Sequence, residues 1–162
     1  NLNRGKPQIS TQKLQKLLGR YLKSKRSVLS KARALCVLIK DRLAGDVHLI
    51  SLGHLSSLAD FIIVATATSK PHLEALETRL RQELKTIHVG SNKPTEGNES
   101  ESWRVVDAGF AIIHLMSQEA RSKFNLEHIW SEGKRIALTS RRPTARRRGK
   151  AKEKIPAFLR DK

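Results

Sequence analysis

The sequence predicts an α/β fold, a small mixed β-sheet with flanking helices. Three observations lead there. Asp60–Ala67 (DFIIVATA) is a near-continuous β-branched apolar run, which suits a strand covered on both faces. Leu73, Leu76, Leu80 and Leu84 follow as an apolar stripe at helical spacing. Trp103–Asp107 and Phe110–Met116 are two strand-like runs around Ala108-Gly109, and a two-residue turn implies antiparallel pairing.

In chain order, Asn1–Ser10 is polar and carries Gly5 and Pro7, as an arm does. Leu14, Leu17, Leu18, Tyr21 and Leu22 recur at helical spacing among lysines and arginines, predicting a basic amphipathic helix. After a polar interruption at Lys23–Ser30, a second helix is predicted over Lys31–Ala44. Its apolar face holds Ala32, Leu35, Cys36, Ile39 and Leu43, and Gly45 serves as its C-terminal stop. Val47–Leu52 alternates and reads as a strand ahead of Asp60–Ala67.

Thr68 and Ser69 suit the cap of the next helix and Pro71 its first turn. Glu77 and Arg81 make a favourable i,i+4 pair on that helix, worth about 0.2–0.5 kcal/mol. Gly90, Pro94 and Gly97 mark His88–Ser102 as a loop. Beyond the hairpin, Ser117–Trp130 reads as helix in two pieces broken near Asn125. Gly133 ends it, and Arg135–Leu138 offers a last short strand. The order is β-β-α-β-β-α-β with a helix in front.

Charge divides the chain in three. Asn1–Gly45 carries twelve Lys/Arg and one acid, Asp46–Leu138 ten against twelve, and Thr139–Lys162 ten against two. A nearly neutral domain therefore sits between two basic extensions that suit a polyanion, since each neutralised phosphate releases counterions. We divide the chain accordingly: 1–30 as a basic extension with its amphipathic helix, 31–138 as the domain, and 139–162 as a basic tail. In the tail, Arg141, Arg142, Arg146, Arg147, Arg148 and Lys150 are the candidate contacts to such a polyanion. Ile155, Pro156, Phe158 and Leu159 form a short apolar cluster near its end. No apolar run approaches the roughly 18–20 residues of a membrane span.

The chemistry-bearing residues are sparse. The only cysteine, Cys36, lies on the apolar side of a predicted helix, so a buried, unreactive thiol is expected. Neither G-x-x-x-x-G-K-[ST] nor G-x-G-x-x-G occurs. The six histidines show no H-x-x-x-H spacing on a helix. His114 alternates within a strand between Ile113 and Leu115 and reads as a hydrogen-bonded structural histidine. Asp60 starts a strand, and Asp107 sits at the hairpin turn, where aspartate orders its own backbone. Neither has a second aspartate two positions away, the pair a nucleotidyltransferase uses to bind metal. Catalysis and bound cofactors are therefore not expected. Trp103, Phe110 and Phe124 are candidate exposed anchors, whereas Trp130, following Leu126 and Ile129 at helical spacing, suits the core.

A set of motifs is distinctive. Leu58-Ala59-Asp60-Phe61-Ile62-Ile63-Val64-Ala65, Thr68-Ser69 with His72, Glu96-Gly97 and Trp103–Asp107 occur in order. His114, Glu119-Ala120-Arg121 with Phe124, and Leu126-Glu127 with Trp130 follow. Over residues 33–138 the chain resembles the Iojap / ribosomal silencing factor family. The resemblance implies a nucleotidyltransferase-like fold without the catalytic motif. It also implies binding to the large ribosomal subunit at ribosomal protein L-fourteen, which blocks small-subunit joining, and in organelles a role in large-subunit assembly; the alternative readings are a general RNA-binding protein using its basic arms, or a nucleotidyltransferase-type enzyme suggested by fold relationship alone. Carried over, Trp103, Val105 and Asp107 are the first contact residues, and Phe110, Arg121 and Phe124 the second. Other assembly factors are possible partners in the same sense.

Three positions depart from the family. Phe124 replaces a usual tyrosine, so a hydroxyl contact is lost. Thr68 stands where glycine usually precedes the serine, and Ala108-Gly109-Phe110 lacks the hairpin's usual second acid. The long basic arms fit an organellar relative better than a compact bacterial one. Residues 1–30, rich in Lys/Arg and without an acid, resemble a targeting segment, and the absent initiator Met fits a processed or truncated start. The mitochondrial matrix is the expected compartment, with plastid or bacterial cytoplasm as alternatives.

Overall fold

The computed structural model describes residues 27–86 and 100–138, together with the helical residues Gln12, Lys13, Lys16, Leu17, Gly19 and Arg20. Among the predicted amphipathic positions Leu17 is helical and exposed, while Leu14, Leu18, Tyr21 and Leu22 lie outside the described residues. So do most of the predicted 88–102 loop and all the tail residues proposed to meet rRNA.

Helix α1 spans Val28–Asp41, with Ser27 as its N-cap accepting from the Ser30 N–H at 3.3 Å. It therefore begins three residues earlier than predicted, within the extension, because a serine cap there satisfies an otherwise orphaned donor. It also stops earlier. Leu43, not Gly45, takes the left-handed position after the helix, at φ 64°, and Gly45 opens strand β1 (Gly45–Ser51). A 3₁₀ turn at Gly53–Leu55 leads to strand β2 (Phe61–Ala67). Helix α2 covers Lys70–Thr86, and the Ser69 hydroxyl accepts from the His72 N–H at 3.2 Å, as the capping sequence predicts.

Strands β3 (Trp103–Asp107) and β4 (Ala111–Ser117) form the expected antiparallel hairpin. Its connection is three residues, Ala108–Phe110, rather than two. Gly109 sits at φ 82° and Asp107 Oδ1 accepts its N–H at 2.7 Å, so the aspartate does order its own turn. Helices α3 (Gln118–Phe124) and α4 (Leu126–Ile129) are separated by Asn125 at φ 43°, the break predicted there. Strand β5 is Lys134–Ile136. Gly133 before it allows close approach: a Cβ there would meet Ile50 Cγ2 at 2.7 Å and the Ser51 carbonyl oxygen at 3.0 Å.

The five strands are ordered β3-β4-β2-β1-β5. Only β2 and β4 run parallel, with Phe61 opposite Ala111 and Val64 opposite His114. The parallel pair is central and needs a crossover, which α2 supplies. One face is fully covered. There Ile63, Ala65, Val106, Ile113 and Leu115 meet Leu35 and Ile39 of α1 and Leu73, Leu76, Leu80 and Leu84 of α2. Cys36 is buried here, and burial pushes its thiol up to about 12, so it stays protonated and unreactive. The other face carries a smaller core of Ile50, Leu52, Ile62, Val64 and Met116 under Ala120 and Leu126, with Trp103 and Trp130 at its margin.

Candidate contact surface on the open sheet face

Alternation along β3 puts Trp103, Val105 and Asp107 on the second face of the sheet. Their cross-strand partners on β4 are Met116, His114 and Ile112. Helices α3 and α4 are short, at seven and four residues, and cover only part of this face. Val105, Asp107, Ile112 and His114 are left half-buried toward the β3 edge. Phe124, at the end of α3, is 42% exposed and stacks on Trp103 with ring centroids 4.9 Å apart. Lys123 Nζ stands 5.5 Å from the Phe124 centroid, within cation–π reach. The result is a shallow surface of mixed aromatic and aliphatic character on a rigid edge strand.

Trp103 is anchored as well as displayed. Its indole Nε1–H donates to His114 Nδ1 at 3.0 Å. That bond makes Nδ1 an acceptor, and burial lowers the imidazole pKa to about 4, so His114 is neutral at physiological pH. His114 is thus the hydrogen-bonded structural histidine expected from its strand. The edge itself is braced from the covered face. Arg104 reaches Glu77 at 2.9 Å and the Ser100 carbonyl at 2.7 Å. Arg81 holds Glu77 at 3.1 Å and donates to the outward carbonyl of Val105 at 2.9 Å. The predicted Glu77–Arg81 pair exists, but Glu77 is buried and serves two arginines rather than facing solvent.

Two residues grouped with this edge by sequence lie elsewhere. Phe110 packs half-buried against the main core and accepts the N–H groups of Asp60 and Phe61 through its carbonyl, both at 3.1 Å. It ends the hairpin loop while Trp103 starts the hairpin, so the chain separates them along the strand direction. Arg121 turns inward and is 5% exposed. Its guanidinium donates to Glu127 Oε1 at 2.8 Å, the Asp46 carbonyl at 2.5 Å, Thr66 Oγ1 at 2.8 Å and His48 Nδ1 at 2.9 Å. Its donors are thereby spent tying α3 to β1, β2 and α4. Burial pushes the Glu127 carboxyl up, but its own backbone N–H and Arg121 outweigh this and hold it below the usual carboxylate range.

Ile112 and His114 were not among the contact residues expected from the sequence. The register shows them side by side with Trp103, Val105 and Asp107 on the partly open face. Period-two alternation from Trp103 carried across the hairpin would have found them. Trp130 packs at the margin of the second core, as its spacing from Leu126 suggests.

Comparison with known proteins places this geometry. The profile of the family described as "Ribosomal silencing factor during starvation" matches residues 25–158. Ribosomal silencing factor RsfS of Zymomonas mobilis is 34% identical over 95 residues, 59% of this chain and 71% of the relative. The mouse protein named "Mitochondrial assembly of ribosomal large subunit protein 1" is 29% identical over 96 residues, 58% of this chain and 42% of the relative. The crystal structure of protein CV0518 from Chromobacterium violaceum superposes with a TM-score of 0.55 at 30% identity, covering 64% of this chain and 83% of that one.

Proposed function

The chain belongs to the ribosomal silencing factor family, and from that premise we propose that it binds the large ribosomal subunit at ribosomal protein L-fourteen. Bound there it sterically blocks joining of the small subunit, acting as an assembly or silencing factor rather than as an enzyme. One observation carries the reading: the half-open face of β3 and β4, where Trp103, Val105, Asp107 and Phe124 offer aromatic and aliphatic surface on a braced strand. Interface hot spots favour such anchored aromatics. The potential acid–base groups on this face are otherwise engaged, His114 by Trp103 and Asp107 by its own turn.

Basic arms add an rRNA contact to this protein contact, and the mitochondrial matrix is the compartment we favour. The basic N-terminal stretch and the name of the mouse relative support that choice.

The test is co-sedimentation with purified large subunits. Trp103→Ala is a poor probe because Trp103 also packs on the second core and on Phe124. Val105→Lys and Phe124→Ala change the open face with little buried packing lost. Each should weaken large-subunit binding at least tenfold, a cost of about 1.4 kcal/mol or more, with an unchanged melting temperature. Unaltered binding by both variants rejects this face as the contact.

A further inference from the structure

The sheet has a second edge, and its surroundings differ in kind. Four inter-strand gaps, about 4.8 Å each, separate β3 from β5, so the edges lie roughly 19 Å apart. Beside β5 lies an open cleft of about 560 Å³ between the end of α1 and residues 135–138. Lys40, Arg135 and His48 line it, and the Arg135 guanidinium contacts His48 Nε2. Lys134 and Arg135 are exposed, as is Lys40 in the last turn of α1.

Among the described residues, no carboxylate lies within ion-pair distance of Lys40, Lys134 or Arg135. The one acid in the lining, Asp46, is already committed, to His48 Nε2 at 3.0 Å and to Arg121 at 3.8 Å. Leu138 closes the lining, and the sequence continues directly into the tail with its ten Lys/Arg against two acids.

We propose that the β5 edge is an RNA-binding surface of the folded domain, with Lys40, Lys134 and Arg135 contacting the phosphate backbone as it enters the cleft toward the basic tail. The inference rests on the large-subunit reading above and adds to it a second contact, on the edge opposite the protein contact. Three such cations, one of them a fork-shaped guanidinium, suit phosphates. Continuity with an arginine run favours a long polyanion over an acidic patch on a protein.

The experiment uses the full chain and a 20-nucleotide single-stranded RNA. The double variant Lys40→Gln/Arg135→Gln should bind about fivefold more weakly, with a log–log salt slope shallower by about 1.4 for two lost phosphate contacts. In case Arg135→Gln disturbs the fold through His48, Lys40→Gln alone is measured too and should lose about half that slope. Photo-crosslinking of thiouridine-containing RNA to the unaltered chain should place adducts within 133–138 or at Lys40.

Affinity and slope equal to the unaltered chain, with adducts confined to 139–162, would overturn the proposal. Poly-glutamate binding as tight as RNA would also overturn it, in favour of an acidic protein. Val105→Lys separates the two readings: it should weaken large-subunit binding and leave the RNA oligonucleotide unaffected. Loss of oligonucleotide binding in that variant counts against two separate surfaces.

Discussion

His114 and Arg121 show how a single side chain's surroundings decide its role. The unfolded imidazole takes up a proton near pH 6.5, while folded His114 resists protonation until about pH 4. Between those values the unfolded chain binds more protons, so stability falls as the pH drops through this window. The contribution of this one half-buried group is on the order of 1–3 kcal/mol, complete above pH 6.5 and gone below pH 4. Denaturant titrations at pH 7, 5.5 and 4 should show it. His114→Gln keeps an acceptor for Trp103 without titrating, and the difference between the two proteins should shrink through the same window. Parallel pH dependences would refute the assignment. Arg121 gives the complementary case. Removing one partner of a buried, fully bonded charge leaves the others stranded, at a cost of about 3–5 kcal/mol. Arg121→Ala should therefore lower the melting temperature sharply, whereas Phe124→Ala should not. If Arg121→Ala folds normally and only loses large-subunit binding, its inward role is mistaken.

At the scale of elements, the end of α1 is the least comfortable piece of the fold. Leu43 is 81% exposed and sits at φ 64°, a region that costs a residue with a Cβ roughly 1–2 kcal/mol. Leu43→Gly should stabilise the protein by up to about 1 kcal/mol, since glycine tolerates the left-handed position after a helix but gives back some entropy on folding. Chemical denaturation measures it, and a loss of stability would mean that Leu43 makes contacts its exposure conceals. Gly45 two residues later made the helix stop legible but misplaced it, because local composition marks where helices end only to within a turn. The strands, the leucine stripe of α2 and the break at Asn125 were all legible, since each rests on a short-range pattern. The sheet order was not, because pairing β2 with β4 across a crossover depends on contacts more than forty residues apart. The same distance hid Arg121: three of its partners, Asp46, His48 and Thr66, lie 55 to 75 residues away. The candidate face was half legible. Trp103, Val105 and Asp107 share it by alternation alone, but that Phe110 leaves it for the main core follows from the three-residue turn.

Among the described residues the molecule is a braced sheet with different surfaces at its two edges, and the sequence carries strong positive charge toward both ends. The positive net charge lies wholly outside the Asp46–Leu138 stretch, which is itself slightly acidic. Under the proposed function, that distribution would separate two sources of affinity for a ribosomal particle. The β3 face offers apolar area, whose contribution changes little with salt. In the proposed reading the arms would add phosphate contacts, whose contribution falls steeply as salt rises, with a log–log slope of roughly 0.7–0.9 per phosphate. Deleting 139–162 removes ten of the chain's Lys/Arg and should leave a binder that is weaker at 0.05 M salt but nearly indistinguishable from the full chain at 0.5 M. Co-sedimentation with large subunits across that range checks it. Full-chain and truncated curves should converge as salt rises, the truncated one being the flatter. Curves that stay parallel would mean that the tail's arginines do not touch RNA. In that case the apolar face, the β5 edge and the basic N-terminal extension would have to account for binding.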